Sequence, residues 1–293
     1  MTTRRQFLGA GLALAAAGRV AAIEPIKRSD KPRIKLSIAA YSYRQYLTQK
    51  PKPTMTLDDF IETAAGMDLD AVEFTEYYFP ETSPKYLAQL KGKATRLGLD
   101  VSGTAIKNDF CLADPDKLKK EIAHVKKWVE HSSRLGAKTI RIFSGGVPKG
   151  DTEEKTRARC VEAIQEACDY AGQYGIFLAL ENHGGISATI DQILSVVKAV
   201  KHDWFGVNLD TGNFVSPDPY ADLARLAPYA VVSQLKTEIK RTGKKKEESD
   251  LKRLMDIMRA ANFRGYVALE YEADEEPKTA IPRHIAALRK LVS

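Results

Sequence analysis

Apolar residues in this chain follow two alternating rhythms. Short runs rich in Val, Ile, Leu and Ala alternate with longer stretches in which apolar positions recur every three or four residues. The short runs read as buried strands and the long stretches as amphipathic helices. Strands are predicted at Lys35–Tyr41, Ala71–Glu76, Asp100–Ile106, Thr139–Ser144, Phe177–Glu181, Phe205–Asp210, Val231–Lys236 and Tyr266–Tyr271. Helices are predicted from about Thr56 to Gly66, Ser83 to Leu97, Pro115 to Gly136 and Asp151 to Tyr174. Four more run from about Ile190 to Lys201, Tyr220 to Leu226, Asp250 to Ala261 and Pro277 to Leu291. Helix starts carry Thr56 or Asp114-Pro115, and ends carry Gly98, Gly136 or Gly175, the residue types that cap first and last turns. Eight strand–helix units in about 260 residues predict an α/β protein of one domain, a (β/α)8 TIM barrel over residues 35–293. An open doubly wound sheet usually has fewer units, and no G-x-G-x-x-G follows the first strand.

The first residues break this rhythm. Arg4-Arg5 precedes an apolar stretch from Leu8 to Ala17, and small residues at Val20 and Ala22 offer a cleavage point before Ile23. Residues 1–22 therefore read as a twin-arginine export signal, cleaved near Ala22, with a periplasmic mature protein. The apolar stretch is short for a bilayer, so no stable membrane anchor is expected. Residues 23–34 read as a linker into the barrel. Without Arg4, Arg5 and Arg19, the 45 basic residues fall to 42 against 38 acidic ones, a net charge of +4 rather than +7. That is too weak to indicate nucleic acid as a partner. The dense run Lys240–Lys246 is followed by Glu247, Glu248 and Asp250 and lacks interleaved aromatics, so it reads as a solvated loop. Cys160 and Cys168 fall on one helix about 12 Å apart, beyond bridging distance. Cys111 stands alone in a loop, and buried thiols are the reading for all three.

Candidate chemistry gathers where the last four strands end. Glu181, Asp210, Gln234 and Glu270 each finish an apolar run, and consecutive barrel strands are neighbours, so the four side chains are expected in one quadrant of the C-terminal mouth. Three carboxylates in one space repel each other, and a divalent metal resolves that repulsion. An oxygen-donor set suits Mn²⁺ first, then Mg²⁺ or Co²⁺, better than tetrahedral Zn²⁺. Strand alternation sets His183 on the face of Glu181, Lys236 on that of Gln234 and Glu272 on that of Glu270, while Asn182 points the other way. Glu181, Glu270, His183 and Lys236 are the candidate catalytic groups, with Glu181 or Glu270 moving protons, His183 an alternative base and Lys236 stabilising an oxyanion. Arg141, Glu73 and Asn182 are candidate substrate contacts.

The motifs around these residues resemble the sugar phosphate isomerase/epimerase family, the xylose isomerase-like barrels. Glu181 in ALENHGG, Asp210 in NLDTGN and Glu270 in ALEYE carry the likeness, which runs from about Lys35 to the C-terminus. The resemblance implies that these three residues and a histidine on the seventh strand hold a divalent ion, commonly Mn²⁺. Here Gln234 in VSQLKT stands at the histidine's place, while Lys236 matches the family lysine. Asn213 stands where a substrate-contacting histidine is frequent, and the resemblance makes it a further candidate substrate contact. The resemblance further implies a small carbohydrate substrate, with exported members similar to proteins acting on 3-keto sugars. Proton abstraction beside a sugar carbonyl would then give isomerisation or epimerisation, or elimination of the substituent from a 3-keto-glycoside. A glycosidase using Glu181 and Glu270 without metal leaves Asp210 and Gln234 unexplained. A non-catalytic sugar-binding barrel is the reading that the Gln234 and Asn213 changes would favour. A homo-oligomer is compatible with all of these.

Overall fold

The computed structural model describes residues 23–48 and 52–292. The export signal expected at residues 1–22 lies outside them. Eight parallel strands close into a barrel, numbered β1 to β8 among themselves. They are Arg33–Ala39, Ala71–Thr75, Asp100–Ala105, Thr139–Ile142, Phe177–Glu181, Phe205–Asp210, Ala230–Leu235 and Arg264–Leu269. Each pairs with its neighbour in sequence, and β8 closes on β1 with Tyr266 opposite Lys35. Such a sheet is covered by helices outside and by side chains within, which is why its strands read as apolar runs.

The helices form where the sequence signals put them. Thr56 caps Leu57–Ala65 in a reciprocal box with Asp59, and Asp114 caps Pro115–Leu135, which stops at Gly136 with φ 80°. Their apolar faces meet the outside of the barrel in one continuous core, from Leu36 and Phe60 through Val125 to Leu288. No helix among the described residues is long and apolar enough to cross a membrane.

Four local expectations change. Strand β8 ends at Leu269, so Glu270 lies one residue past it, and Lys236 likewise lies just past β7. The run read as a solvated loop folds as a hairpin, Glu238–Arg241 against Lys246–Glu248, turning through Gly243 at φ 71°. The first of these strands also pairs with Val215–Ser216, making a three-stranded sheet over one side of the mouth. The segment read as a linker runs under the barrel base, where Ile23 N donates to Val200 O and Ile26 N to Pro228 O. All three cysteines are free and buried, but Cys111 is not alone: it hydrogen-bonds Cys160, and this contact with burial holds the Cys160 thiol well above its ordinary value.

Candidate active site

The parallel register sets the order of the site residues. Glu181 on β5 lies beside Asn208 on β6, and Asp210 lies beside Gln234 on β7. Past its last ladder position the β5–β6 edge is laced by a side chain. Asn182 Nδ2 donates to Asp210 O at 2.9 Å, and Asp210 N donates to Asn182 Oδ1 at 2.9 Å. Asn182 is buried, and its amide faces the Asp210 backbone and not the mouth cavity, so it positions Asp210. The loop beyond is shaped by glycine. Gly185 has φ 55°, and a Cβ there would lie 1.9 Å from Gly145 O. This close approach lets Ile186 N bond Gly145 O at 3.1 Å and joins the loops after β4 and β5.

Within the mouth, the acids are buried and unequally partnered. Glu181 is 3% exposed, with Oε2 3.0 Å from Arg141 Nε and Oε1 accepting from Asn213 Nδ2 at 2.8 Å. Arg141 also donates Nη1 to Ile106 O at 2.9 Å and lies 3.9 Å over the Phe143 ring. Burial raises Glu181 to about 7, Arg141 works against this and Glu270 adds to it. Asp210 is fully buried; its Oδ1 accepts from Gly212 N at 2.8 Å, but its Oδ2 has no hydrogen-bond partner. Burial holds its carboxyl well above the usual range, although Lys236 pulls it down. Lys236 Nζ reaches three acids, at 2.6 Å from Glu272 Oε2, 3.5 Å from Glu270 Oε2 and 3.6 Å from Asp210 Oδ2.

Beneath them runs a chain of amides. Asn208 Nδ2 donates to Gln234 Oε1 at 2.6 Å, and Gln234 Nε2 donates to Glu73 Oε1 at 2.6 Å. Glu73 is buried on β2, across the barrel, and burial with the Glu270 charge raises it to about 8 despite Gln234. Glu73 therefore orients Gln234 from below and does not line the mouth cavity, a correction to its expected substrate role. Asn213 lines a small side cavity with Lys236 and Glu272, and its amide holds Glu181.

The mouth cavity encloses ≈ 630 Å³, within the range of small-molecule sites. Glu181, Glu270, Lys236, Glu272, Arg141 and His183 all face it. His183 stands at its rim, its ring 4.4 Å from that of Phe143. Burial, Arg141 and Lys236 lower its pKa, so the imidazole is neutral near pH 7 and able to take a proton. Three contributors escaped the sequence reading: Tyr77, which bonds Arg141, Lys107, and Asn208. Asn208 had a signal, since it sits two residues before Asp210 on the same strand face.

Five acids, Glu73, Glu181, Asp210, Glu270 and Glu272, share this region with two resident cations, Arg141 and Lys236. That excess of acids over bases, with the unpartnered buried oxygen of Asp210, is what a divalent cation would satisfy, and the oxygen donors suit a hard ion. The acids are nevertheless spread apart. Among the described residues, no three His, Cys, Asp or Glu side chains converge closely enough to hold a metal as they lie.

A family model described as the xylose isomerase-like TIM barrel matches residues 61–291. No curated protein matches the chain. Among solved structures, L-ribulose 3-epimerase is similar with a TM-score of 0.72 at 16% identity, over 88% of this chain and 94% of that one. A D-psicose 3-epimerase from Clostridium cellulolyticum H10 gives 0.70 at 16% identity, over 88% and 99%. The 3-keto-D-glucoside 4-epimerase of E. coli gives 0.69 at 14% identity, over 88% and 100%.

Proposed function

The chain belongs to the xylose isomerase-like TIM barrel family, and on that premise we propose that it is a sugar isomerase or epimerase that moves a proton on the carbon beside a sugar carbonyl. The observation that carries this reading is a pair of buried carboxyls, Glu181 and Glu270, facing one mouth cavity together with Lys236 and His183. A carboxyl aimed into a cavity that holds a sugar can take a proton from carbon on one face and return it on the other. Glu270 faces the same cavity as the second carboxylate. Arg141 and Asn213 fix the two oxygens of Glu181, which sets the direction from which it reaches carbon. Lys236 brings positive charge to the oxygen on which charge develops, and neutral His183 exchanges a proton with a hydroxyl at the rim.

Glu181, Asp210, Gln234 and Glu270 would hold a divalent ion, with Mn²⁺ favoured by the oxygen donors. When bound, it supplies Lewis-acid polarisation of the carbonyl. The sugar-epimerase neighbours support a small carbohydrate substrate, and the 3-keto-glucoside epimerase supports a 3-keto sugar among them. Elimination from a 3-keto-glycoside is the second reading, favoured by a cavity walled with the Tyr41, Tyr77 and Phe143 rings, which could seat an aglycone.

Incubation with keto-hexoses and 3-keto-glucosides in deuterated water, with and without Mn²⁺, tests the reading. Deuterium beside the carbonyl with recovered sugar marks epimerisation, and released aglycone marks elimination. Binding without exchange or release would make the barrel a sugar binder and overturn the enzyme reading. Export is part of the proposal: changing Arg4 and Arg5 together to lysine should strand the precursor in the cytoplasm, and unchanged periplasmic yield would refute it.

A further inference from the structure

Lys236 stands between two acids that the preceding reading assigns to the ion. Its Nζ is 3.6 Å from Asp210 Oδ2 and 3.5 Å from Glu270 Oε2, but only 2.6 Å from Glu272 Oε2. We propose that Lys236 is a built-in competitor for the metal site: its ammonium and the divalent ion can claim the same oxygens of Asp210 and Glu270, and Glu272 is the dock that holds the ammonium off them. The inference rests on the metal reading.

Four observations carry it. An ammonium sits farther from carboxylate oxygens than a hard divalent ion, which binds them at about 2.0–2.6 Å. Asp210 and Glu270, at 3.6 and 3.5 Å from Nζ, lie beyond a direct ammonium hydrogen bond of about 2.7–2.9 Å, whereas Glu272 makes one, so the ammonium is held just off the two oxygens that the ion would take. The Asp210 oxygen facing Lys236 makes no hydrogen bond, so it is free to change partner. The backbone beneath the lysine is pinned, with Lys236 N donating to Thr211 Oγ1 at 2.9 Å, so the flexible stem moves and the strand end does not. Finally, the Glu272 side chain is 27% exposed against 0% for Asp210. The ammonium is therefore held on the side towards water, by a carboxylate the ion does not need. Both Lys236 and Glu272 face the mouth cavity, so loading the site would also place the lysine's charge where substrate oxygen arrives.

Mn²⁺ affinity of the chelator-treated mature protein, read by calorimetry, tests this without turnover. The proteins are wild type, Lys236→Met, Glu272→Gln and the double variant, each checked by thermal melt. Lys236→Met should bind Mn²⁺ about tenfold tighter or more, because a competing cation is gone. Glu272→Gln should bind about fivefold weaker, because the dock is lost and the ammonium moves onto Asp210 and Glu270. In the Lys236→Met background the Glu272→Gln effect should shrink to about twofold or less, since only simple charge loss remains. Equal effects of Glu272→Gln in both backgrounds would overturn the docking role. Unchanged or weaker binding by Lys236→Met overturns the competition and leaves the metal reading standing. No Mn²⁺ binding by any of the four proteins overturns both. If Lys236→Met melts early, Lys236→Gln carries the same expectations.

Discussion

The two ends of this barrel make opposite use of charge. At the strand N-termini lies the larger cavity, ≈ 1030 Å³, walled by Phe177, Phe205, Tyr229 and Val231 and edged by Arg33, Lys138 and Arg264. Charges at that end are open to water and locally paired. Lys35 meets Asp100 at 3.3 Å with side chains 36% and 49% exposed, and Tyr266 lies between Lys35 and Lys138 with its hydroxyl on Asp100. At the mouth the cavity is smaller, yet the Arg141–Glu181 pair is 6% and 4% exposed and acids outnumber bases. Volume alone would point to the wrong end. Chemistry belongs where charge is buried without enough partners, because only there are protonation and cation binding left undecided by solvent.

The comparison breaks most sharply in turnover. Glu181→Gln or Glu270→Gln should cut sugar turnover by about a thousandfold or more, each removing a proton-transfer carboxylate. Lys138→Ala or Arg33→Ala at the base should leave it within about twofold. A base variant as damaging as the mouth variants would relocate the site.

Stability comes next. Arg141→Met leaves Glu181 buried without its cation and should cost about 3–5 kcal/mol. Lys35→Met removes an exposed partner of Asp100 and should cost about 0–1 kcal/mol. Urea unfolding of both variants gives the difference, and equal losses would mean that burial does not separate the two ends.

The pH dependence should have opposite signs at the two ends. Glu73 rises from 4.5 to about 8, chiefly by burial, so the folded state binds its proton more tightly than the unfolded one. The stability it contributes is full below pH 4.5 and is lost as pH rises towards 8. Asp100 is held below its ordinary value first by the Tyr266 hydroxyl and then by Lys35. Its contribution is present above its ordinary pKa and is lost as pH falls through the lowered one. In chelator, Glu73→Gln should flatten the alkaline side of a Tm-against-pH curve, and Asp100→Asn the acid side. Interchanged effects would contradict both assignments.

The smallest expected change is at Gln234. Gln234→His should tilt preference from Mn²⁺ towards Zn²⁺ with the barrel intact, and Gln234→Ala should weaken Mn²⁺ less than loss of a carboxylate does. Competition titrations read both, and three identical profiles would remove Gln234 from the donor set.

The barrel was legible because strands buried on both faces must be written as apolar runs. Glu181, Asp210 and Glu270 were legible because each interrupts such a run near its end. Their partners were not. Gln234 meets Glu73 across 161 residues of sequence, a contact fixed by barrel closure and by no local pattern. Alternation gave the direction of Asn182 but could not name the Asp210 backbone as its target. The small sheet was hidden because Lys246, Glu247 and Glu248 are all exposed, so no alternation of apolar and polar residues marks a strand there. Lys236 matched a family position, but its reach to three acids depends on where three separate strands end.

That small sheet ties together two loops that evolution could otherwise edit separately. Val215–Ser216 follows Asp210 in the loop after β6, and Glu238–Arg241 follows Lys236 in the loop after β7. Their pairing is extended by Thr242 N on Ser216 O at 3.1 Å. A length change in either loop is therefore transmitted to the other, whereas the turn at Gly243, past the last shared bond, is open to insertion. Variation in substrate scope should arise as matched changes in both loops, and a tag or reporter should be tolerated at the Gly243 tip.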